Sequence, residues 1–319
     1  MNAARLRHFP YFAEYLNHAV IYSPFRMTKS VENYRSSILN TDDQGFRMSK
    51  VSNQEKLFTF SDFIESDSEM KNVVVGGSTV FGVGASSDSN TLTSRLNYKS
   101  AYLNQNFGVR GYVSTQEMIN LLLNFSYIKD TQKILVVSGV NDISIAVDGG
   151  SRTESDANLF FAENVFLKEK WSKRPKAFRP YIQFYLNEID YSLFRIRNNL
   201  SVMKNLAESI GSKIYYGLQP VSGWCEITLT ESEHLRINTD HKLIPSLSIT
   251  NSKEIGRYCR LAIHQICIDL DIQYVDFNSS LEMSMASEIN RRDVFSDMCH
   301  LTDYGYDLLS DFVLESFYD

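Results

Sequence analysis

The chain alternates short apolar runs with segments whose apolar residues recur at helical spacing. The runs typical of buried strands are NVVV at 72–75, KILVV at 133–137 and KIYYGL at 213–218. A weaker candidate at 101–107 lies between the first two, and a further one at 272–277 follows the third. The helical pattern occurs at 115–125, 254–270 and 303–317. Strands that alternate with helices predict a parallel sheet covered on both faces, which is a doubly wound α/β fold.

Three stretches do not fit this alternation. Residues 1–70 precede the first strand, and we predict an N-terminal extension packed on the core, with a turn and a short extended piece at 40–49. Residues 149–200 follow the third strand, and the polar, loop-like residues 221–253 follow the fourth. Open α/β folds keep their sites at the carboxyl edge of the sheet. We therefore predict one domain over 71–319, with these two insertions as walls of a pocket.

The composition of the 319 residues, 43% hydrophobic and 22% charged, is typical of a soluble globular protein. The net charge of −6 predicts no nucleic-acid partner, since such proteins usually carry a basic face. No window approaches the roughly 18 apolar residues of a membrane span, and the N-terminus lacks the apolar run of a signal peptide. The 4 widely spaced cysteines are typical of reduced thiols. These features predict a cytoplasmic protein.

A glycine-rich turn at 76–82, GGSTVFG, directly follows the first predicted strand. It places Ser78 at the carboxyl edge of the sheet, and its glycines permit a tight turn. The segment lacks the Gly-Lys-Ser/Thr of a Walker loop, and Val80 breaks the Gly-x-Ser-x-Gly elbow pattern. By itself it indicates a candidate nucleophile, a phosphate-binding loop or only a turn.

A second polar turn, SGVND at 138–142, follows the run at 133–137. The side-chain amide of Asn141 can donate a hydrogen bond, which an oxyanion hole requires and a carboxylate does not supply. An Asn-Asp pair that only shapes a turn is the alternative interpretation. The position of Asn141, at the same predicted edge as Ser78, favours a shared site.

The segment DMCHLT at 297–302 precedes the last predicted helix, for which Thr302 is a plausible N-cap. A general base needs an imidazole and a carboxylate that fixes its tautomer, and His300 and Asp297 supply both from one loop. Asp297 as a surface carboxylate is the alternative, and a metal site would lack a second histidine nearby. A nucleophile, an amide donor and an oriented base are what acyl transfer through a covalent serine intermediate requires.

These blocks, in this order, resemble the SGNH (GDSL-type) hydrolase family over roughly residues 72–319. Ser78 matches the nucleophile block, Gly111 the glycine block and Asn141 the asparagine block. Asp297 and His300 match the closing Asp-x-x-His block.

The chain departs from the family pattern at one position of the nucleophile block. Gly77 stands where families named for Gly-Asp-Ser have an acid, which puts the subfamily in question more than the catalysis. The Gly-Phe-Arg at 45–47 is similar to members associated with bacterial polysaccharide loci.

The resemblance implies a three-layer α/β/α sandwich with a five-stranded, flavodoxin-like parallel sheet. It also implies a catalytic triad of Ser78, His300 and Asp297. The oxyanion hole would have three donors, namely the backbone N–H of Ser78, the backbone N–H of Gly111 and the side-chain amide of Asn141.

The predicted function is a serine esterase that removes an acyl group, foremost an O-acetyl group on a carbohydrate or a related small molecule, without a metal or organic cofactor. An O-acyltransferase would use the same residues. A catalytically inactive protein that binds a ligand or partner through the same pocket is the alternative of another class. Arg110, beside Gly111, is a candidate contact for an anionic substrate, against the alternative of a solvated surface arginine.

Overall fold

The computed structural model describes residues 3–52, 55–148, 182–286 and 291–318. The chain begins with a segment of short elements, which are α1 (Ala3–His8), α2 (Phe12–Asn17), β1 (Val20–Ser23), β2 (Met27–Ser30) and α3 (Phe60–Glu65). β1 and β2 form an antiparallel pair. A turn follows at 42–45, where the Gly45 N–H donates to the Asp42 carbonyl. Arg47 then bridges back to Thr41 in an extended conformation, which agrees with the turn and extended piece predicted there.

The central sheet has five parallel strands, β3 (Lys71–Gly76), β4 (Leu103–Gly108), β5 (Thr131–Ser138), β6 (Lys213–Leu218) and β7 (Gln273–Asp276). Their order across the sheet is β4-β3-β5-β6-β7. β3 therefore lies between the next two strands of the chain, which is the flavodoxin-like order. The prediction of a doubly wound α/β fold with these five strands is confirmed, with small differences at the strand ends.

The helices that follow are α4 (Ser78–Phe81), α5 (Leu92–Lys99), α6 (Ser114–Leu123), α7 (Val140–Val147), α8 (Ile182–Ser209), α9 (Glu231–Leu243), α10 (Pro245–Thr250), α11 (Lys253–Asp269), α12 (Phe277–Met285) and α13 (Asp303–Phe317). The three predicted helices are confirmed as α6, α11 and α13. Two single 3₁₀ turns lie at Asp88–Asn90 and Phe125–Tyr127.

Side chains of the sheet alternate between two apolar cores, one on each face. Val73 and Val75 pack in the core that includes residues of α6, α7, α8 and α11. Val74 points to the other face and packs with residues of α5, α12 and α13. Burial on both faces explains why β3 and β5 contain continuous apolar runs instead of alternating ones. The three layers that the sequence blocks imply are present.

The N-terminal segment packs against the turn that carries Ser78. The Arg47 guanidinium is fully buried, with its Nε 2.9 Å from Asp88 Oδ1. Its Nη1 donates to the carbonyl of Gly82, the C-cap of α4, at 2.8 Å. The Tyr15 hydroxyl donates to the same carbonyl at 2.8 Å. The segment therefore supplies donors to the C-terminal end of α4, where the helix leaves carbonyls without intrahelical partners.

The polar stretch 221–253 is not the loop that we predicted, because it contains α9 and α10. Thr230 and Glu233 form a capping box at the start of α9. Among the buried residues of α9 are the polar Glu233, Arg236 and Asp240, so the sequence lacks the apolar period from which helices are predicted.

The other insertion is helical where the structure describes it. Residues 182–200 belong to the long helix α8, which the sequence pattern did not predict. The rest of the predicted insertion, 149–181, lies outside the described residues.

None of the helices in the described ranges combines the length and apolarity needed to cross a bilayer. The cysteines at 225, 259, 267 and 299 are free, as the prediction of reduced thiols requires. Burial raises the pKa of the Cys267 thiol to about 12, so this side chain stays protonated at neutral pH.

Candidate active site

Ser78, His300 and Asp297 form one hydrogen-bonded series at the carboxyl edge of the sheet. Ser78 Oγ lies 2.7 Å from His300 Nε2, and His300 Nδ1 lies 2.6 Å from Asp297 Oδ2. Ser78 follows β3 as the first residue of α4, and the other two residues lie in the loop before α13. The carboxylate fixes the imidazole with a proton on Nδ1, which leaves Nε2 to accept from the serine hydroxyl.

The loop that carries Asp297 and His300 is held by its own backbone. Asp297 Oδ1 accepts from the backbone N–H groups of Cys299 at 2.9 Å and His300 at 2.8 Å. The Ser296 N–H donates to the His300 carbonyl at 2.8 Å, which closes the loop at its base. Thr302 then caps α13 by accepting from the Gly305 N–H, as predicted. Asp297 and His300 are therefore fixed relative to each other before any substrate binds.

Helix α9 supports the same loop from outside. Glu233 Oε1 accepts from the backbone N–H groups of Val294 at 2.7 Å and Phe295 at 2.8 Å. The fully buried Arg236 donates from Nε to the Ser296 carbonyl at 3.1 Å. Because Glu233 and Arg236 are buried but polar, the sequence of α9 lacks an apolar helical period. The same two residues hold the loop before Asp297.

Asp297 has a second cationic neighbour from the N-terminal helix. Arg5 Nη2 lies 2.9 Å from Asp297 Oδ2 and also pairs with Asp240. Burial opposes ionisation of Asp297, but the charges of Arg5 and His300 hold the pKa of this carboxyl well below its ordinary value. Asp297 is therefore ionised throughout the neutral range and stabilises a positive charge on the imidazole.

The three expected oxyanion donors lie on adjacent turns of one edge. The Ser78 N–H is at the first position of α4 and has no intrahelical acceptor. Gly111 follows β4 with φ +76°, a left-handed conformation that favours glycine. Asn141 follows β5, and its Nδ2 donates to the Tyr112 carbonyl at 2.7 Å. One amide hydrogen is held by that carbonyl, and the second has no acceptor among the residues that the structure describes, so it is available to a ligand.

Gly77 explains how the Asn141 amide approaches the nucleophile turn. A Cβ at position 77 would lie 2.6 Å from Asn141 Nδ2 and 3.2 Å from the Tyr112 carbonyl oxygen. Any side chain there would press on the amide and on the carbonyl that orients it. The resembled family has an acid at this position. In this chain the absence of a side chain at Gly77 leaves room for the Asn141 amide.

A cavity of about 600 Å³ opens beside Ser78 and His300. Its apolar walls come mainly from the N-terminal helices and from α9 and α10, namely Leu6, Phe12, Leu16, Val83, Leu243, Ile244, Leu247 and Met298. Its polar lining includes Ser78, Gly111, Asn141 and Arg110. The insertion at 221–253 therefore lines the pocket as predicted, and the N-terminal extension lines it as well.

Arg110 lies half-buried in this cavity and is not the solvated surface arginine of the alternative interpretation. Its Nη1 donates to the His18 carbonyl at 2.9 Å. Burial lowers the pKa of the Arg110 guanidinium to about 10, so the group stays protonated at neutral pH.

Asp297, Cys299 and His300 also place potential metal-ligand atoms within 4.8 Å of one another, the one such grouping among the described residues. Both carboxylate oxygens of Asp297 already accept hydrogen bonds. Burial, followed by the charge of Asp297, raises the pKa of the Cys299 thiol, so the thiolate that binds metals is disfavoured. These residues fit a proton-transfer arrangement better than a metal site.

Sequence reasoning missed three residues that contribute to this site, namely Arg5, Glu233 and Arg236. Arg5 lies 292 positions before Asp297 in the chain. No local pattern distinguishes it from neighbouring basic residues such as Arg7. Arg236 and Glu233 were missed because α9 was expected to be a loop. The Thr-x-x-Glu of its capping box was the available signal.

No family model and no curated protein matches the chain. Among solved structures it is similar to a member of the lipolytic protein G-D-S-L family from Veillonella parvula (14% identity, 78% of this chain and 98% of that one, TM-score 0.43). It is also similar to a lipase/acylhydrolase from Enterococcus faecalis (12% identity, 78% of this chain and 95% of that one, TM-score 0.45). A third similar structure is a catalytic mutant of an acetylxylan esterase from Geobacillus stearothermophilus (13% identity, 79% of this chain and 95% of that one, TM-score 0.41). Similarity at this level does not carry an activity from one protein to another.

Proposed function

We propose that the chain is a serine ester hydrolase that works through an acyl-enzyme at Ser78. The observation that carries the proposal is the continuous series from Ser78 Oγ to His300 Nε2 at 2.7 Å and from His300 Nδ1 to Asp297 Oδ2 at 2.6 Å. In the proposed reaction His300 takes the hydroxyl proton as Ser78 attacks the ester carbonyl. Asp297 stabilises the imidazolium that forms.

The negative charge that develops on the carbonyl oxygen would be stabilised by the N–H groups of Ser78 and Gly111 and by the amide of Asn141. Donors of this kind act on the transition state and each contributes on the order of 3 kcal/mol. His300 then returns the proton to the leaving alcohol. Water, activated by the same imidazole, releases the acid and restores Ser78.

The proposed substrate is an O-acetylated carbohydrate or a related small molecule, which is the substrate class that the resemblance suggests. A specific observation favours a second candidate, an ester with a longer apolar acyl chain. The cavity walls are mostly apolar, and Leu16, Leu243 and Ile244 line the cavity while 43–53% exposed. Exposed apolar side chains at the rim of an apolar pocket are typical of a site for an apolar ligand.

The proposal is tested with 4-nitrophenyl acetate and the Ser78→Ala variant. We expect turnover by the wild type, loss of turnover in the variant, and an unchanged melting temperature. Ser209→Ala, at an exposed serine at the end of α8, is the matched control and should retain full activity. Activity of Ser78→Ala equal to that of the wild type would rule out the acyl-enzyme.

A second measurement separates the two substrate candidates. Initial rates are compared for 4-nitrophenyl acetate, hexanoate and decanoate, and for acetylated sugars. A kcat/KM that rises with chain length supports the apolar acyl chain. A preference for acetyl esters and acetylated sugars supports carbohydrate deacetylation.

A further inference from the structure

Two arginines line the cavity beside Ser78, and their charges are balanced differently. Arg5 pairs with two carboxylates, those of Asp297 and Asp240. Arg110 forms no ion pair with any described residue, and both hydrogen bonds of its guanidinium run from Nη1 to His18. A half-buried guanidinium without a carboxylate partner among the described residues keeps its full positive charge, which makes it a candidate site for an anion.

His18 does not change this balance. The ring is buried, with 2% of the residue exposed, and packs against the rings of Tyr34 and Phe81. Burial, followed by the charges of Arg110 and Arg47, lowers the pKa of His18 to about 3. The imidazole is therefore neutral at neutral pH, and the backbone carbonyl of His18 holds the guanidinium in place without neutralising its charge.

Arg110 lies close enough to the proposed nucleophile for an anion bound to it to be part of the substrate. Arg110 directly precedes Gly111, and both line the same cavity as Ser78 and Asn141. The His18 contacts use Nη1, which leaves Nε and Nη2 as one edge of the guanidinium fork. Such an edge matches the two oxygens of a carboxylate.

We propose that Arg110 is a specificity-determining residue that binds a carboxylate of the substrate close to the ester bond. This inference rests on the proposed function and narrows its substrate class to anionic esters. A charge-assisted hydrogen bond is stronger than a neutral one. The Arg110 guanidinium is therefore expected to raise kcat/KM for a carboxylate-bearing ester roughly ten- to hundredfold over that for its neutral counterpart.

The test uses two matched pairs of esters, one for each side of the scissile bond. The anion is on the acyl side in mono-4-nitrophenyl adipate, compared with 4-nitrophenyl hexanoate. It is on the alcohol side in 4-acetoxybenzoate, compared with phenyl acetate. We expect the wild type to prefer the anionic member of at least one pair in kcat/KM by tenfold or more.

Three variants locate that preference. Arg110→Met should lower the anionic-to-neutral ratio of that pair by roughly ten- to hundredfold. Arg110→Lys, which keeps the charge without the fork, should retain part of the ratio. Arg257→Met, at an exposed arginine of α11, should leave both the ratio and the activity unchanged. A wild type without preference in either pair, or a ratio within twofold of the wild type in Arg110→Met, overturns the proposal.

A binding measurement keeps this inference separate from the proposed function. If the wild type hydrolyses no ester, the proposed function fails, and calorimetric titration with adipate decides the role of Arg110. Adipate binding by Ser78→Ala that is lost in Ser78→Ala/Arg110→Met supports the carboxylate site. Equal binding by the two proteins, or none by either, overturns it.

Discussion

Arg5 and His300 share one oxygen of Asp297. Arg5 Nη2 lies 2.9 Å from Asp297 Oδ2, and His300 Nδ1 lies 2.6 Å from the same atom. The carboxylate that orients the proposed general base is therefore also an anchor for the N-terminal helix. The extension ahead of the α/β domain contributes to the electrostatics of the site as well as to its walls.

Arg5→Met is expected to shift the acid limb of the kcat/KM–pH profile to higher pH. Removal of the guanidinium takes away a positive charge that holds the pKa of the Asp297 carboxyl down, so that pKa rises and the carboxylate that orients His300 becomes protonated at a higher pH. Arg7→Met, at an exposed position of the same helix, is the control. An unmoved acid limb with an intact fold would show that Arg5 is only a structural anchor.

Asn141→Ala is expected to lower kcat by about 10²–10³-fold, because one of the three proposed oxyanion donors is lost. The substitution removes an amide that donates to the Tyr112 carbonyl, so a thermal melt must accompany the kinetics. A decrease of less than about threefold would exclude Asn141 from the oxyanion hole.

Gly77→Ala is expected to impair the same donor without removing it. The new methyl group would lie 2.6 Å from Asn141 Nδ2, so the amide must move from its position against the Tyr112 carbonyl. We expect kcat to fall at least tenfold, by analogy with loss of a single oxyanion donor. Gly211→Ala tests whether a glycine substitution alone has this effect, because a Cβ there meets nothing within 4 Å, although its φ of +73° makes the change mildly destabilising. Full activity of Gly77→Ala would contradict the proposed coupling.

Glu117→Gln is expected to reduce the dependence of stability on pH. Burial, followed by the neighbouring Asp142, raises the pKa of the Glu117 carboxyl well above its ordinary value. The folded protein therefore holds this proton to a higher pH than the unfolded chain does. Stability is therefore lost as the pH rises above the ordinary carboxyl range towards the folded pKa, at about 1.4 kcal/mol per pH unit.

The melting temperatures of wild type and Glu117→Gln are compared at pH 5 and pH 8. The glutamine keeps an acceptor for the Ser138 hydroxyl, which donates to Glu117 Oε1 at 2.6 Å. We expect the melting temperature to fall less between pH 5 and pH 8 in the variant than in the wild type. Glu226→Gln, at an exposed position, should behave as the wild type does. Identical pH dependence in all three proteins would indicate an ionised Glu117.

The sequence alone determined the sheet and the polar residues at its edge. Runs such as 72–75 and 133–137 are apolar because both faces of each strand are buried, and that burial is visible locally. Ser78 and Asn141 directly follow their strands, so the parallel topology alone places them at the same edge. His300 and Asp297 lie in one short loop, where their relation is again local.

Only the tertiary structure decided which distant residues complete the site. Arg5 contacts Asp297, and Gly77 leaves room for the Asn141 amide. Both contacts arise because separate segments of the chain converge in space. No hydrophobic period or residue spacing encodes such contacts. Arg236 gave no helical signal, because its buried face of α9 binds the backbone of the loop before Asp297 instead of an apolar core. Local patterns record burial along one segment, whereas charge pairing between segments depends on how the whole chain packs.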